Sequence, residues 1–206
     1  MTETKSSTQL SPRNLVRDIL VAIGFVAFLS GLAFWFELRK NRNDFYPTDW
    51  LILAPFALNG TEQISREFDY LASDGGEGKF LAQPSRVHKL LGGQSLVWTP
   101  YTAKKGEIAF VLLGKIVGNN ITNTVGYAQT VLTMPKAAEL QLGIAGDDGV
   151  KIWINGEVVF NRASNGPYKL EKDLLVVKLK EGENVVLVKN TQLDGGWGFA
   201  LHFFDK

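Results

Sequence analysis

Asp147 and Asp148 form the only adjacent pair of aspartates in the chain, and Gly149 follows them directly. Paired carboxylates can divide the acid and base roles of glycoside hydrolysis. Neighbouring residues on an extended strand, however, send their side chains to opposite faces, so this pair would diverge. The simpler reading is that an aspartate beside Gly149 accepts backbone N–H bonds and shapes its loop. Five tryptophans, Trp35, Trp50, Trp98, Trp153 and Trp197, invite stacking chemistry. Most are expected in the core or at an interface. Trp153 alternates with Ile152 and Ile154 and so points away from the face they line. Exposed there, it could stack on a sugar or on a protein neighbour. Only two histidines are present, His88 and His202, and no cysteine. A thiolate nucleophile, a disulfide and a Cys-type metal site are therefore excluded. With no Gly-x-Ser-x-Gly elbow, nothing marks a serine nucleophile, and the chain is expected not to be an enzyme. His202 is expected to be a satisfied strand residue and His88 to lie in a loop.

These side chains have to be positioned by a domain of modest size. A formal net charge of +1 excludes a strong electrostatic attraction to nucleic acid. Residues 19–36 are 18 consecutive positions without a charge, long enough as a helix to span about 27 Å. Arg13 and Arg17 flank one end, and Arg39, Lys40 and Arg42 the other. The expected organisation is a polar tail over 1–18, one transmembrane helix over 19–36 in the lipid bilayer, a linker over 37–49 and a β-domain over 50–206. The flanking charges tie, so they do not orient the helix. A short polar N-terminus before a large domain favours placing that domain on the extracytoplasmic, periplasmic side. Gly24, Ala27 and Gly31 recur at helical spacing and make one face smooth, where a partner helix could approach.

Short apolar runs separated by glycine turns fill the rest. Residues 50–56, 95–98, 108–113, 125–133, 174–180 and 184–189 are strand candidates. Leu140, Leu142 and Ile144 alternate with polar or small neighbours, as a half-buried strand requires. Residues 151–154 and 157–160 flank Asn155-Gly156, a pair that accepts the positive φ angles of a two-residue hairpin. Trp197, Phe199, Leu201 and Phe203 close the chain at period two. Residues 58–93 show few apolar periods and are expected to wrap the domain as loops. About ten short strands without a convincing helix after residue 49 predict an all-β, antiparallel β-sandwich.

The string from Gly146 to Val159, Asp-Asp-Gly, strand, Asn-Gly, strand, resembles the signature of protective-antigen-like and carbohydrate-binding-module-like jelly rolls. Residues 50–56 resemble the opening strand of bacterial members, though Ala54 stands where that motif has glycine. Tyr127-Ala128-Gln129-Thr130, Glu181-Gly182-Glu183-Asn184 and Gly195-Gly196-Trp197-Gly198-Phe199 resemble further family segments, while residues 58–93 match poorly. The resemblance implies a galactose-binding-like jelly roll used as a non-catalytic accessory domain. It also implies that aspartates matching Asp147 and Asp148 can ligate calcium, which in turn holds sugar hydroxyls. Calcium takes about six to eight oxygens, so Asn155, Asn161, Asn165 and Asp173 could add theirs only if the loops converge. The structural role of the pair is preferred, with no metal and no cofactor.

The function expected from these features is a membrane-anchored accessory subunit of a larger membrane-protein assembly, respiratory or photosynthetic in type. It would dock through its helix and its sandwich. The alternative is a membrane-tethered carbohydrate-binding module, with Asp147, Asp148 and Trp153 at its ligand.

Overall fold

The computed structural model describes residues 43–90, 94–113, 122–163 and 173–206. The helix expected over 19–36, with Gly24, Ala27 and Gly31 and the partner helix they would face, lies outside the described residues. So do the tail expected over 1–18 and residues 37–42 of the expected linker. Among the described residues, no helix is long and apolar enough to cross a membrane. Among them the α-helix seen, Glu62–Glu67, has six residues and reaches only about 9 Å, so the single-pass, extracytoplasmic localisation expected from the sequence finds no support there.

Thirteen strands are found among the described residues. The first sheet runs β1 (Asp44–Phe45), β13 (Gly198–Phe204), β8 (Ala138–Asp147) and β11 (Asp173–Leu179), with β6 (Glu107–Ala109) also on β13. The second runs β10 (Glu157–Arg162), β9 (Gly149–Ile154), β12 (Gly182–Gln192), β7 (Thr124–Met134), β2 (Asp49–Ala57) and β5 (Thr99–Thr102). Every pairing is antiparallel. The all-β antiparallel sandwich is therefore observed. β1 falls inside the expected linker and pairs with the last strand, Phe45 opposite Phe203.

Period two explains the core. Ile52 of β2, Ala128 of β7, Ile152 of β9 and Val188 of β12 face inward from the second sheet. They meet Leu142 and Ile144 of β8 and Phe199 and Leu201 of β13, all fully buried. At about 25 cal/mol per Å2 of apolar surface, each such side chain contributes about 1.5–3 kcal/mol. The Asn155-Gly156 hairpin forms as expected: both residues take positive φ, 52° and 88°, and the Asn155 side chain accepts the Val185 N–H at 3.0 Å.

The second sheet is apolar on its outer face too. Leu53, Val125, Tyr127, Trp153 and Leu187 point there and are sealed by the chain between β2 and β5. That stretch carries α1 (Glu62–Glu67), a 3₁₀ turn (Ala72–Asp74) and the hairpin β3 (Val87–Lys89)–β4 (Ser95–Val97). From this cover Leu71, Phe80, Ala82 and Trp98 are buried against the sheet. The described part of the loops expected over 58–93 thus forms a third layer with its own small core. A register shift between Leu53 and Phe56 turns Phe56 outward into that core, so Pro55 sits at a bulge instead of ending the strand.

Candidate functional site

Thr61 caps α1: its hydroxyl accepts the Ile64 N–H at 3.2 Å. From α1, Arg66 binds Glu62 at 3.0 Å and reaches the Asn161 side chain of β10. Glu67 takes hydrogen bonds from Asn161, at 2.8 Å, and from Lys151 of β9. Those two bonds hold its carboxyl below the usual range. Glu62 accepts from the Thr191 hydroxyl of β12 at 2.6 Å. Three strands of the second sheet therefore hold one turn of helix.

Beyond α1 the chain descends onto the sheet around Lys189, a fully buried residue of β12. Its ammonium donates to the carbonyls of Phe68 and of Arg66, the latter at 3.1 Å, and to Glu77 Oε1 at 2.7 Å. It also lies 5.1 Å from the ring centre of Tyr70 and 5.6 Å from that of Tyr127. The Tyr127 hydroxyl donates to the same Glu77 oxygen. Burial raises the pKa of Glu77 against the pull of Lys189, and lowers that of Lys189 against the pull of Glu77. Burial and the Glu77 charge push the Tyr127 phenol well up.

On the other side of Phe68 and Tyr70 a cleft of about 580 Å3 opens between β2 and the cover. Phe56, Phe68 and Tyr70 line it. Phe68 meets Tyr70 edge-on with ring centres 4.8 Å apart, and Phe56 lies 5.1 Å from Tyr70. The Tyr70 hydroxyl is fixed, donating to the Ala57 carbonyl at 3.1 Å and accepting the Asn59 N–H at 3.0 Å. Phe68, by contrast, is 43% exposed. Asn59, Asp69, Ser73, Lys89 and Gln94 give the walls their polar groups. His88, also on the wall, is buried on β3 instead of lying in a loop. Its Nδ1 is 2.6 Å from Asp74, and Arg86 is 3.2 Å from that aspartate's other oxygen. For Asp74, burial acts to raise the pKa, but the bonds from His88 and Arg86 outweigh it and the value falls.

The residues singled out from sequence lie elsewhere and do not converge. Asp148 accepts the Leu193 N–H at 2.6 Å, and the Asp147 carboxylate accepts from the Asp148 backbone. Burial raises both pKa values, and the neighbouring Asp194 charge adds to the effect. Side chains on the glycines around the pair would displace neighbouring carboxylates. A Cβ on Gly149 would stand 2.0 Å from Glu62 Oε1, and one on Gly196 would stand 2.4 Å from Asp147 Oδ2. Of the other proposed oxygen donors, Asn155 is in the hairpin, Asn161 binds α1, Asp173 pairs with Arg162 at 2.9 Å and Asn165 lies outside the described residues. No group of three or more His, Cys, Asp or Glu suited to a metal is found among the described residues. Trp153 points away from Ile152 and Ile154 as expected but is 4% exposed, so the exposure expected of it is corrected. It sits about 16 Å along β9 from Asp148, under the cover. His202 is paired as expected, Nε2 lying 2.8 Å from Asp44. The cleft was missed because its residues come from the stretch with the weakest periodicity. The signal available was the unbroken apolar run Val185-Val186-Leu187-Val188 before Lys189, which marks a strand buried on both faces.

Residues 113–203 match the family described as alpha-L-rhamnosidase, domain D2. No curated protein matches the chain. Among solved structures, the chain is similar to a β-glucosidase from Kluyveromyces marxianus in complex with glucose, at 11% identity and a TM-score of 0.38, over 53% of this chain and 14% of that one. It is similar to a GH31 α-xylosidase from Xanthomonas citri at 13% identity and a TM-score of 0.41, over 81% of this chain and 16% of that one. A family 35 carbohydrate-binding module from Clostridium thermocellum aligns at 17% identity and a TM-score of 0.31, over 59% of this chain and 88% of the module. The chain thus spans 14% and 16% of the two enzymes' lengths. The expected role as a subunit of a respiratory or photosynthetic assembly is corrected: what residues 113–203 match is a domain described from α-L-rhamnosidases, which favours the carbohydrate-related alternative.

Proposed function

We propose that the sandwich is a non-catalytic carbohydrate-binding module of the galactose-binding-like jelly-roll kind, and that its ligand seat is the cleft between β2 and the cover. The observation that carries this reading is the cleft itself: exposed Phe68 beside the fixed ring of Tyr70, with hydroxyl, amide, carboxylate and ammonium groups on the walls. A pyranose presents an apolar C–H face and a rim of hydroxyls, and this combination is its complement. The volume of about 580 Å3 accommodates one or two sugar rings. The match of residues 113–203 to a domain of α-L-rhamnosidases adds support for a sugar ligand. A non-catalytic role is supported by the commitments of the acidic groups. Asp74 is held by His88 and Arg86, Glu77 by Lys189, and Asp69 accepts the Leu71 and Glu77 N–H groups. General acid–base catalysis needs a carboxyl free to exchange its proton with substrate.

The test is saturation-transfer NMR of the full chain with the methyl glycosides of L-rhamnose, D-glucose, D-xylose and D-glucuronic acid. At least one is expected to receive saturation from the protein. Phe68→Ala should weaken that binding about tenfold, since stacking on one ring is worth about 1 kcal/mol or more. It should leave the melting temperature nearly unchanged. No transfer to any of the four, or equal binding by Phe68→Ala, would refute the reading.

A further inference from the structure

We infer that Lys189 is the positioning residue of the cleft: its buried ammonium, by holding the Arg66 and Phe68 carbonyls, sets the aromatic wall in its binding geometry. The inference rests on the carbohydrate reading of that cleft. Lys189 belongs to the central region of the second sheet, between β9 and β7, and its fixed strand gives the ammonium a fixed origin. The carbonyls it holds lie on either side of Glu67, at the point where α1 ends and the chain turns into Phe68-Asp69-Tyr70. The last carbonyls of a helix have no partner within it. Here a side chain from another layer supplies one. The same nitrogen faces the ring of Tyr70, so one group fixes the backbone at Phe68 and the back of the neighbouring ring.

Charge compensation alone would need less. The bond to Glu77 neutralises the ammonium, and a pair of opposite buried charges can often be replaced together at little cost in stability. What such a replacement cannot supply is a donor for the two carbonyls. The two roles are therefore separable. Lys189→Met keeps the length of the side chain but strands the Glu77 carboxylate. The double variant Lys189→Met/Glu77→Gln removes both charges and leaves only the carbonyls unserved.

The experiment compares wild type, both variants and Lys189→Arg in the full chain. It reads the melting temperature, amide hydrogen exchange of Phe68 to Leu71, and NMR binding of the methyl glycoside that the wild type binds best. The expected result is a lowered melting temperature in Lys189→Met and recovery of most of it in the double variant. Exchange at Phe68 to Leu71 should remain about tenfold faster in the double variant, and its affinity about tenfold lower. Lys189→Arg, which keeps the donors, should restore binding at least in part. A double variant that recovers stability, protection and binding together overturns the inference, because Lys189 would then only balance Glu77. A double variant that does not fold also overturns it, since Lys189 would be holding the domain and not the cleft. If the wild type binds none of the glycosides, the carbohydrate reading fails. Exchange then decides the role of Lys189 by itself.

Discussion

Gly156 and Gly78 meet backbone to backbone: a Cβ built on Gly156 would stand 2.2 Å from the carbonyl oxygen of Gly78. The hairpin between β9 and β10 and the cover above the second sheet thus touch at a point where no side chain fits. Gly156 also has φ of 88°, which side-chain-bearing residues resist. Gly156→Val should lower stability by about 2–4 kcal/mol through strain and overpacking combined. A urea melt of the full chain measures it, and an unchanged midpoint would show that the turn and the cover are independent.

Trp153 separates two ideas about an aromatic residue. Buried beneath the cover at 4% exposure, it should cost about 3–5 kcal/mol when truncated to alanine. A tryptophan used for ligand stacking would instead lose binding and keep stability. Thermal unfolding of Trp153→Ala distinguishes them, and a near-wild-type melt would return Trp153 to the surface.

For the aspartate pair the expected role is structural. Removing the Asp148 carboxylate orphans the Leu193 N–H and should cost about 1 kcal/mol. Chelation with EDTA should leave the wild-type melting temperature where it is. A calcium-dependent rise that disappears in Asp148→Ala would overturn that, because a ligand bound only to the folded state must stabilise it.

The same loop predicts a pH dependence. The pKa values of Asp147 and Asp148 are raised in the folded state, first by burial and then by neighbouring charge including Asp194. Raised carboxyl values mean that the folded state binds protons more tightly, so this contribution to stability is lost as pH rises from the ordinary value of 3.8 through the raised ones. Asp194→Asn removes one of the repelling charges. It should raise the melting temperature at pH 7 by about 1–2 °C and do less at pH 4. Equal gains at both pH values would remove the charge argument.

Asp74 has the opposite sign. Its pKa is lowered, so the stability it contributes is present above its ordinary 3.8 and lost as pH falls through the folded value. Asp74→Asn should destabilise the protein at pH 7 by about 1–2 kcal/mol, since it strips the charged partner from buried His88. The difference from wild type should shrink as the pH is taken below 3.8. A penalty that stays constant down to acid-induced unfolding would show that the ion pair contributes nothing.

Local signals were enough for the long strands of the two sheets and for the turn at Asn155-Gly156. Alternation at Leu140, Leu142 and Ile144 and at Phe199, Leu201 and Phe203 placed one face of each strand in the core. Asn155-Gly156 specified its hairpin because few other pairs tolerate two consecutive positive φ angles. Asp147 and Asp148 could be read as loop formers beside Gly149, although the backbone group that Asp148 binds, the Leu193 N–H, comes from a turn 45 residues away. What sequence periodicity could not decide was the fate of the opposite face of the second sheet. The rule that one face is buried and the other wet put Trp153 in solvent. It holds only while nothing lies on top. Residues 58–90 and 94–98 lie on top, and their hold is made of contacts distant in sequence: Lys189 to Phe68, Lys151 to Glu67, Gln129 to the Phe80 carbonyl at 2.9 Å. None of these leaves a periodic trace in the cover, because an irregular segment satisfies its backbone wherever the sheet offers a donor. The cleft is a property of the two layers together, and so only tertiary structure could show it.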